Sequence, residues 1–153
     1  MGLFFFFFVD KDKRVDVNKQ EKDGWTPLHI ACATGNIEIV KYMLQDQRVD
    51  VNQPNNNNVT PIWIASDNNY TQVVQAILQS GRYIDLDAKW TGNDKTAVEQ
   101  ARNNGHQEIV KLIENYIQTK KNILVQHQGT TSQKTTTKPA PLLFFSLFFF
   151  FQM

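Results

Sequence analysis

Cysteine is nearly absent from this chain of 153 residues, which contains only Cys32. A single cysteine excludes an intramolecular disulfide and suits a reducing compartment, so we expect a cytoplasmic protein. A zinc site needs about four ligands. Beside His29 and Cys32, the chain offers only His106 and His127 as further histidine or cysteine ligands. We therefore expect no metal and no cofactor.

An excess of either charge is also lacking, because the formal net charge is only +1. Residues 15–118 contain nine basic and thirteen acidic side chains, whereas residues 119–153 contain four lysines and no acid. Nucleic-acid binding depends largely on Lys and Arg side chains that neutralise phosphates. The mildly acidic body therefore argues against a nucleic-acid partner.

Phenylalanine is missing from the whole middle of the chain. All eleven Phe residues lie in two runs, within residues 4–8 and 142–151. A ten-residue helix would be about 15 Å long, against roughly 30 Å for the hydrocarbon core of a bilayer. We interpret both runs as low-complexity segments foreign to the folded unit; a weak membrane or partner contact is the alternative.

The middle of the chain contains an internal repeat. "TPLHIA" at 26–31 recurs as "TPIWIA" at 60–65, an offset of 34 residues, and as "TAVEQA" at 96–101. "VDVN" at 15–18 likewise recurs at 49–52. A fixed period of this length indicates a repeat protein whose units stack, because one unit alone cannot bury its apolar face.

Each copy predicts two short helices. Thr26 suits the N-cap of the first helix and Pro27 its first position. Gly35 suits the left-handed residue that ends this helix, and Asn36 can cap the second one. Apolar residues at helical spacing follow Asn36, which predicts one buried face. A polar, Asn-rich stretch at 51–59 reads as an extended turn or hairpin between helix pairs.

The segment "DGWTPLHIACATGNIEIVKYMLQDQRVDVN" at 23–52 resembles an ankyrin repeat at nearly every characteristic position. The resemblance extends over about 15–118 and implies an all-α repeat solenoid, a short array of about three helix-turn-helix units joined by hairpin loops. Residues 9–18 resemble the tail of a preceding repeat. Repeat one is therefore expected to expose apolar surface on its N-terminal side.

Two repeats depart from the family pattern. Repeat two has Trp63 in place of the family's His and Asn69 in place of its Gly. Repeat three has Ala97 and Glu99 in place of Pro and His, and its helices are more polar. A polar outer face is expected of a repeat that caps the C-terminal end of the array.

The resemblance implies that His29 is structural and bonds the threonine hydroxyl and neighbouring backbone. Cys32 then packs as a small inert residue, since a buried thiol is seldom reactive. A Cys-His pair that catalyses needs an orienting group and an oxyanion site. The chain has no Gly-rich phosphate loop, no H-E-x-x-H and no nucleophile elbow, so we expect no enzyme.

Four segments are predicted: an apolar leader with a repeat remnant at 1–14, the ankyrin domain at 15–118, a disordered polar linker at 119–141 and a Phe-rich tail at 142–153. The linker interpretation rests on its Thr- and Lys-rich composition, which is typical of disorder.

By resemblance, the function is non-catalytic protein binding by a scaffold or adaptor, through hairpin tips and the exposed face of the first helix. The partner protein is not identified, and the oligomeric state is open. The alternatives are a peripheral membrane adaptor that uses the Phe-rich ends, or a fragment of a larger ankyrin protein. The implied contact residues are Gln20, Lys22, Asp23, Trp25, Ala33, Thr34, Asn56, Asn57, Val59, Asp67, Asn68, Lys95, Asn103 and Asn104.

Two features of this surface stay open between binding and packing. Trp25 and Trp90 lie near the hairpins, and each is either an interface anchor or a ring that only packs. The asparagines at 55–58 are expected to form a solvated turn rather than a recognition site.

Overall fold

Six α-helices follow one another in three pairs along residues 15–129, the part of the chain that the computed structural model describes. Side chains are described as far as residue 126. The helices are α1 (Pro27–Ala33), α2 (Ile37–Gln45), α3 (Pro61–Asp67), α4 (Thr71–Leu78), α5 (Ala97–Asn103) and α6 (Gln107–Gly129). The predictions for residues 1–14, for 130–141 of the linker and for the Phe-rich tail lie outside the described residues.

The helix pairs stack in the order of the sequence. The inner helices α1, α3 and α5 form one row, and the outer helices α2, α4 and α6 form a second row behind it. Each outer helix also packs on the inner helix of its own repeat. No strand occurs among residues 15–129. The prediction of an all-α repeat solenoid is confirmed.

Capping residues set the bounds of the first pair as predicted. The Thr26 side chain caps α1, and the Asn36 carboxamide oxygen accepts a hydrogen bond from the Ile39 N–H at 3.1 Å. The second residue after the first helix of each pair has a left-handed backbone, with φ of 66° at Gly35, 60° at Asn69 and 78° at Gly105. Asparagine tolerates this conformation better than most residues, which explains Asn69 at the glycine position.

Two asparagines connect neighbouring repeats through the "VDVN" segment. The Asn18 amide donates to Arg48 O at 2.7 Å and its oxygen accepts from Asp50 N at 2.7 Å. Asn52 makes the corresponding pair one repeat later, with Tyr83 O and Asp85 N, both at 2.9 Å. In both places the Asn side chain provides hydrogen bonds to backbone N–H and C=O groups that have no partner in a helix or strand.

Arg82 holds the C-terminal end of α2. Its guanidinium donates to Leu44 O at 3.2 Å, to Asp46 O at 2.5 Å and to Val49 O. The last carbonyls of a helix lack intrahelical partners and carry partial negative charge. Arg82, in the turn after α4, therefore pairs with the last turn of α2 and with the segment that follows it, and so joins repeats one and two.

The last helix corrects the prediction of a disordered linker from residue 119, because α6 continues to Gly129. No Gly or Pro interrupts residues 107–128, so nothing in the sequence stops the helix. Side-chain contacts one turn apart support the extension: Gln118 donates to Asn122 at 2.9 Å and Thr119 to Asn115 O at 2.8 Å. Polar composition here marks a solvated helix and not disorder.

Repeat one exposes apolar surface, as expected. Ile30 on α1 is 48% exposed, whereas Ile64, one repeat later, is 6% exposed. At the same position of repeat three, Gln100 donates to Asp67 of the preceding repeat at 2.7 Å. Position 30 therefore faces the preceding repeat, and among the described residues no helix pair lies on that side of α1.

Candidate functional site

His29 is a structural residue that joins repeats one and two. Its Nδ1 lies 2.7 Å from Thr26 Oγ1 and accepts from Thr26 N at 3.1 Å. Its Nε2 lies 3.0 Å from Val59 O. A carbonyl can only accept, so Nε2 carries the proton and Nδ1 accepts from both Thr26 groups. The structural interpretation of His29 is confirmed.

The same network fixes the charge state of His29. The ring is fully buried, and this desolvation lowers the pKa of His29, against a smaller raising effect of the bond to Val59. Protonation would place a second N–H at Nδ1, where two donors already point. A neutral ring with both nitrogens engaged has no atom left for catalysis or metal binding.

Trp63 and Glu99 each keep one half of what His29 does. The Trp63 indole N–H donates to Lys95 O at 2.9 Å, which is the bond to the next repeat. Thr60, the N-cap of α3, has no side-chain cap bond. Glu99 instead completes a capping box with Thr96 N at 2.9 Å. The third repeat therefore keeps the cap, and the middle repeat keeps the contact with the repeat that follows it.

Cys32 is packed in the core. Its side chain is fully buried, and burial raises the pKa of the Cys32 thiol to about 12. The thiol is therefore protonated at neutral pH, whereas the thiolate is the reactive form of cysteine.

Within residues 15–126 no group of His, Cys, Asp and Glu could hold a metal ion. None of the helices described is both long and apolar enough to cross a bilayer.

The hairpin tips are bonded to each other in a row. Asn56 N donates to Asp23 O at 3.0 Å, and Thr91 N donates to Asn57 O at 3.1 Å. Within the second tip, the buried Asn55 side chain accepts from Val59 N at 3.0 Å. These bonds fix the spacing of the three tips, so the side chains around them form one continuous surface. The expectation of a solvated turn holds for Asn56 to Asn58 but not for Asn55.

We call the hairpin tips together with the exposed ends of the inner helices the contact face. Nine predicted contact residues are exposed there: Gln20, Lys22, Asp23, Thr34, Asn56, Asn57, Asn68, Asn103 and Asn104. Four are half-buried: Trp25, Ala33, Asp67 and Lys95.

Val59 is the exception among the predicted contact residues. Its side chain is 6% exposed and belongs to the core, and its carbonyl is bonded to His29. The prediction that Val59 contacts a partner is therefore wrong for its side chain. The cause is the stacking of repeats on both sides, which covers the position in the middle repeat.

Two tryptophans pack at the edges of the hairpins. The Trp25 ring lies 5.8 Å from the His29 ring, and the Trp90 ring meets Trp63 edge-on at 5.3 Å. Both Trp25 and Trp90 stay half-buried. Each therefore covers a buried ring with one side and presents the other side to solvent.

Four residues of the contact face were not predicted from the sequence: Ile30, Asp94, Glu99 and Arg102. Glu99 and Arg102 line an open groove of the third repeat with Asp94, Lys95 and Asn103. Glu99 lies four residues before Asn103 and three before Arg102 on α5, so helical spacing places Glu99 beside both of them. Ile30 also lies on the first inner helix, beside the half-buried Ala33, and its exposure follows from its position in the first described repeat.

Stacked helix pairs with aligned hairpins define a helical repeat protein with an extended surface for ligands. A model of ankyrin repeats in three copies matches residues 3–90. The chain belongs to the ankyrin repeat family, whose repeats are in general non-catalytic modules of protein–protein interaction. No curated protein matches the chain.

Proposed function

We propose that this chain is a non-catalytic scaffold or adaptor that binds a protein partner through the contact face. The observation that carries the proposal is the row of hairpin tips. Bonds from Asn56 N to Asp23 O and from Thr91 N to Asn57 O hold the tips in register, while most of the side chains around them stay exposed. A preorganised surface loses little entropy on binding.

The chemistry of this surface suits a protein rather than a small ligand. Its side chains are mostly amides and scattered charges of both signs, and the groove of the third repeat is open. Small-molecule sites are concave and mostly apolar. Half-exposed Trp25 and exposed Ile30 supply apolar side chains of the kind that anchor protein interfaces. The cytoplasmic location stays a prediction.

The test compares two triple variants of the full chain as bait in native lysate, read by quantitative mass spectrometry. Each triple replaces one exposed side chain per repeat by Ala, because exposed substitutions leave the fold intact. The contact-face variant carries Lys22→Ala, Asn56→Ala and Asn103→Ala. The matched control on the outer helices carries Lys41→Ala, Gln75→Ala and Lys111→Ala.

A partner that uses the contact face is lost from the first variant and kept by the control. With that partner purified, Trp25→Ala should raise Kd about 30-fold, as expected of an aromatic anchor. Ile30→Ala gives a second measurement if Trp25→Ala loses its native circular dichroism. Equal loss in both triple variants, or in the control alone, would place binding elsewhere and reject the proposal.

A further inference from the structure

The outer helix α2 has an apolar side that its counterpart α4 does not expose. Ile39 and Leu44 on α2 are half-buried, whereas Val73 and Leu78, one repeat later, are 1% and 8% exposed. Among the described outer helices, α4 has α2 on one side and α6 on the other, whereas α2 has only α4 as an outer neighbour. The uncovered side of α2 therefore faces the place of a preceding outer helix.

The sequence before residue 15 continues the repeat period. Moving back 34 residues from α2 and its following turn leads to residues 3–14, and Arg14 matches Arg48 and Arg82. Phe5, Phe6 and Val9 then take the positions of Ile39, Val40 and Met43, all apolar. The match to ankyrin repeats also begins at residue 3 and includes this stretch.

Arg48 is placed to hold such a segment. Arg82, one repeat later, donates to the carbonyls of Leu44, Asp46 and Val49 at the end of α2. The same contacts moved back by 34 residues run from Arg48 to the carbonyls of residues 10, 12 and 15. In the described part of the chain the Arg48 guanidinium contacts Asp46 at 2.6 Å.

From this register we propose that residues 3–12 cover the exposed side of α2 in the position of a preceding outer helix, with Arg48 at its C-terminal end. The N-terminal Phe run is then part of the folded array and supplies the apolar cover of α2. Ile30 on α1 belongs to the inner row and stays at the edge of the contact face. The proposal is independent of the proposed function, because it concerns α2 and not the hairpin tips.

The experiment measures amide hydrogen exchange in the full chain. The variant Phe5→Ser with Phe6→Ser removes the apolar cover, and Phe148→Ser with Phe149→Ser is the matched control in the C-terminal run. We expect exchange in residues 37–45 to become about tenfold faster in the first variant and to stay unchanged in the control, since local opening follows lost packing. Residues 107–118 of α6 serve as the internal reference.

A second pair of variants tests the role of Arg48. Arg48→Gln should accelerate exchange in residues 37–45 in the same direction, while Asp46→Asn, which neutralises only the local ion-pair partner, should not. If the double Ser variant loses its helical circular dichroism, Phe5→Ala takes its place in the same measurement.

Unchanged exchange in residues 37–45 of the N-terminal variant overturns the proposal. Protection of α2 that rises with protein concentration, together with dimers in sedimentation, also overturns it and assigns the face to a second copy. Protection that appears only with phosphatidylcholine vesicles overturns it in favour of a lipid surface.

Discussion

A single position in the repeat, occupied by His29, Trp63 and Glu99, shows how one side chain can serve two bonds. The histidine caps its own helix and reaches the next repeat, and each substitute keeps one of these bonds. The division follows from geometry, because only a ring with polar atoms at opposite edges reaches both the cap and the neighbouring hairpin. Ring chemistry at this position therefore sets the coupling between repeats.

The lowered pKa of His29 predicts that stability falls in weak acid. The folded pKa lies below the unfolded value of about 6.5, so the stabilisation is complete above that pH and is lost as pH falls through it. The free energy of unfolding in urea should therefore decrease from pH 7 to pH 5. Hydrogen bonds, chiefly to Arg48 and Thr96 respectively, lower the carboxyl pKa values of Asp46 and Glu99. These two carboxyl groups therefore do not titrate between pH 5 and pH 7.

The variant His29→Gln is the control for this pH dependence. It should cost about 1–3 kcal/mol at pH 7, because Thr26 loses a buried partner, and it should show a smaller decrease towards pH 5. An equal decrease in both proteins would assign the pH dependence to other groups.

The indole N–H of Trp63 should contribute to the stability of the fold in addition to the apolar area of the ring. Trp63→Phe removes the donor to Lys95 O, and we expect the free energy of unfolding to fall by about 1–2 kcal/mol. Trp90→Phe is the matched control, because it trims an indole of the same ring pair and leaves the bond intact. Equal costs for both variants would show that ring area matters and the hydrogen bond does not.

At the scale of the element, the turn between paired helices combines a left-handed backbone, which glycine adopts without strain, with close packing in the first repeat. Gly35 and Gly105 occupy the same position with φ of 66° and 78°. A Cβ at Gly35 would lie 2.7 Å from the Tyr70 ring, whereas at Gly105 nothing lies within 4 Å. The two sites share the conformational requirement and differ in the steric one.

These glycines predict a graded loss of stability. Gly105→Ala should cost about 1 kcal/mol from the left-handed conformation alone, and Gly35→Ala should cost about 2–3 kcal/mol because the Tyr70 ring must also move. Chemical denaturation of both variants measures the difference. A larger cost at Gly105 than at Gly35 would contradict the assignment of the extra term to Tyr70.

At the scale of the whole molecule, α6 has two parts with different roles. Ile109, Val110 and Ile113 are buried against the array, and Tyr116 and Ile117 are half-buried. Residues 118–126 are all exposed. The helix therefore closes the stack with its first three turns and projects into solvent beyond them.

A chain that ends at residue 118 should consequently melt within about 2 °C of the full chain, because surface segments away from the core contribute little. It should also be more soluble, since it lacks the C-terminal Phe run, which is apolar, uncharged and β-prone. Differential scanning calorimetry and sedimentation check the two expectations. A drop in Tm above roughly 5 °C would mean that the removed part packs on the array.

The sequence by itself determined the repeat, the helix pairs and most of the core. Thr26, Pro27, Gly35 and Asn36 act within a few residues of their own position, and the 34-residue period multiplies each local signal. The contact face could be predicted in outline for the same reason, because its hairpins recur with the helices.

Only the tertiary structure decided the features that depend on the neighbouring repeat. Val59 is buried and Ile30 is exposed because the first has a repeat on both sides and the second has none described before it. The bond from Trp63 to Lys95 O spans 32 residues, and α6 continues past residue 118 although its polar composition suggested disorder. Burial and hydrogen bonding between repeats arise from stacking, which a local pattern of residues does not contain.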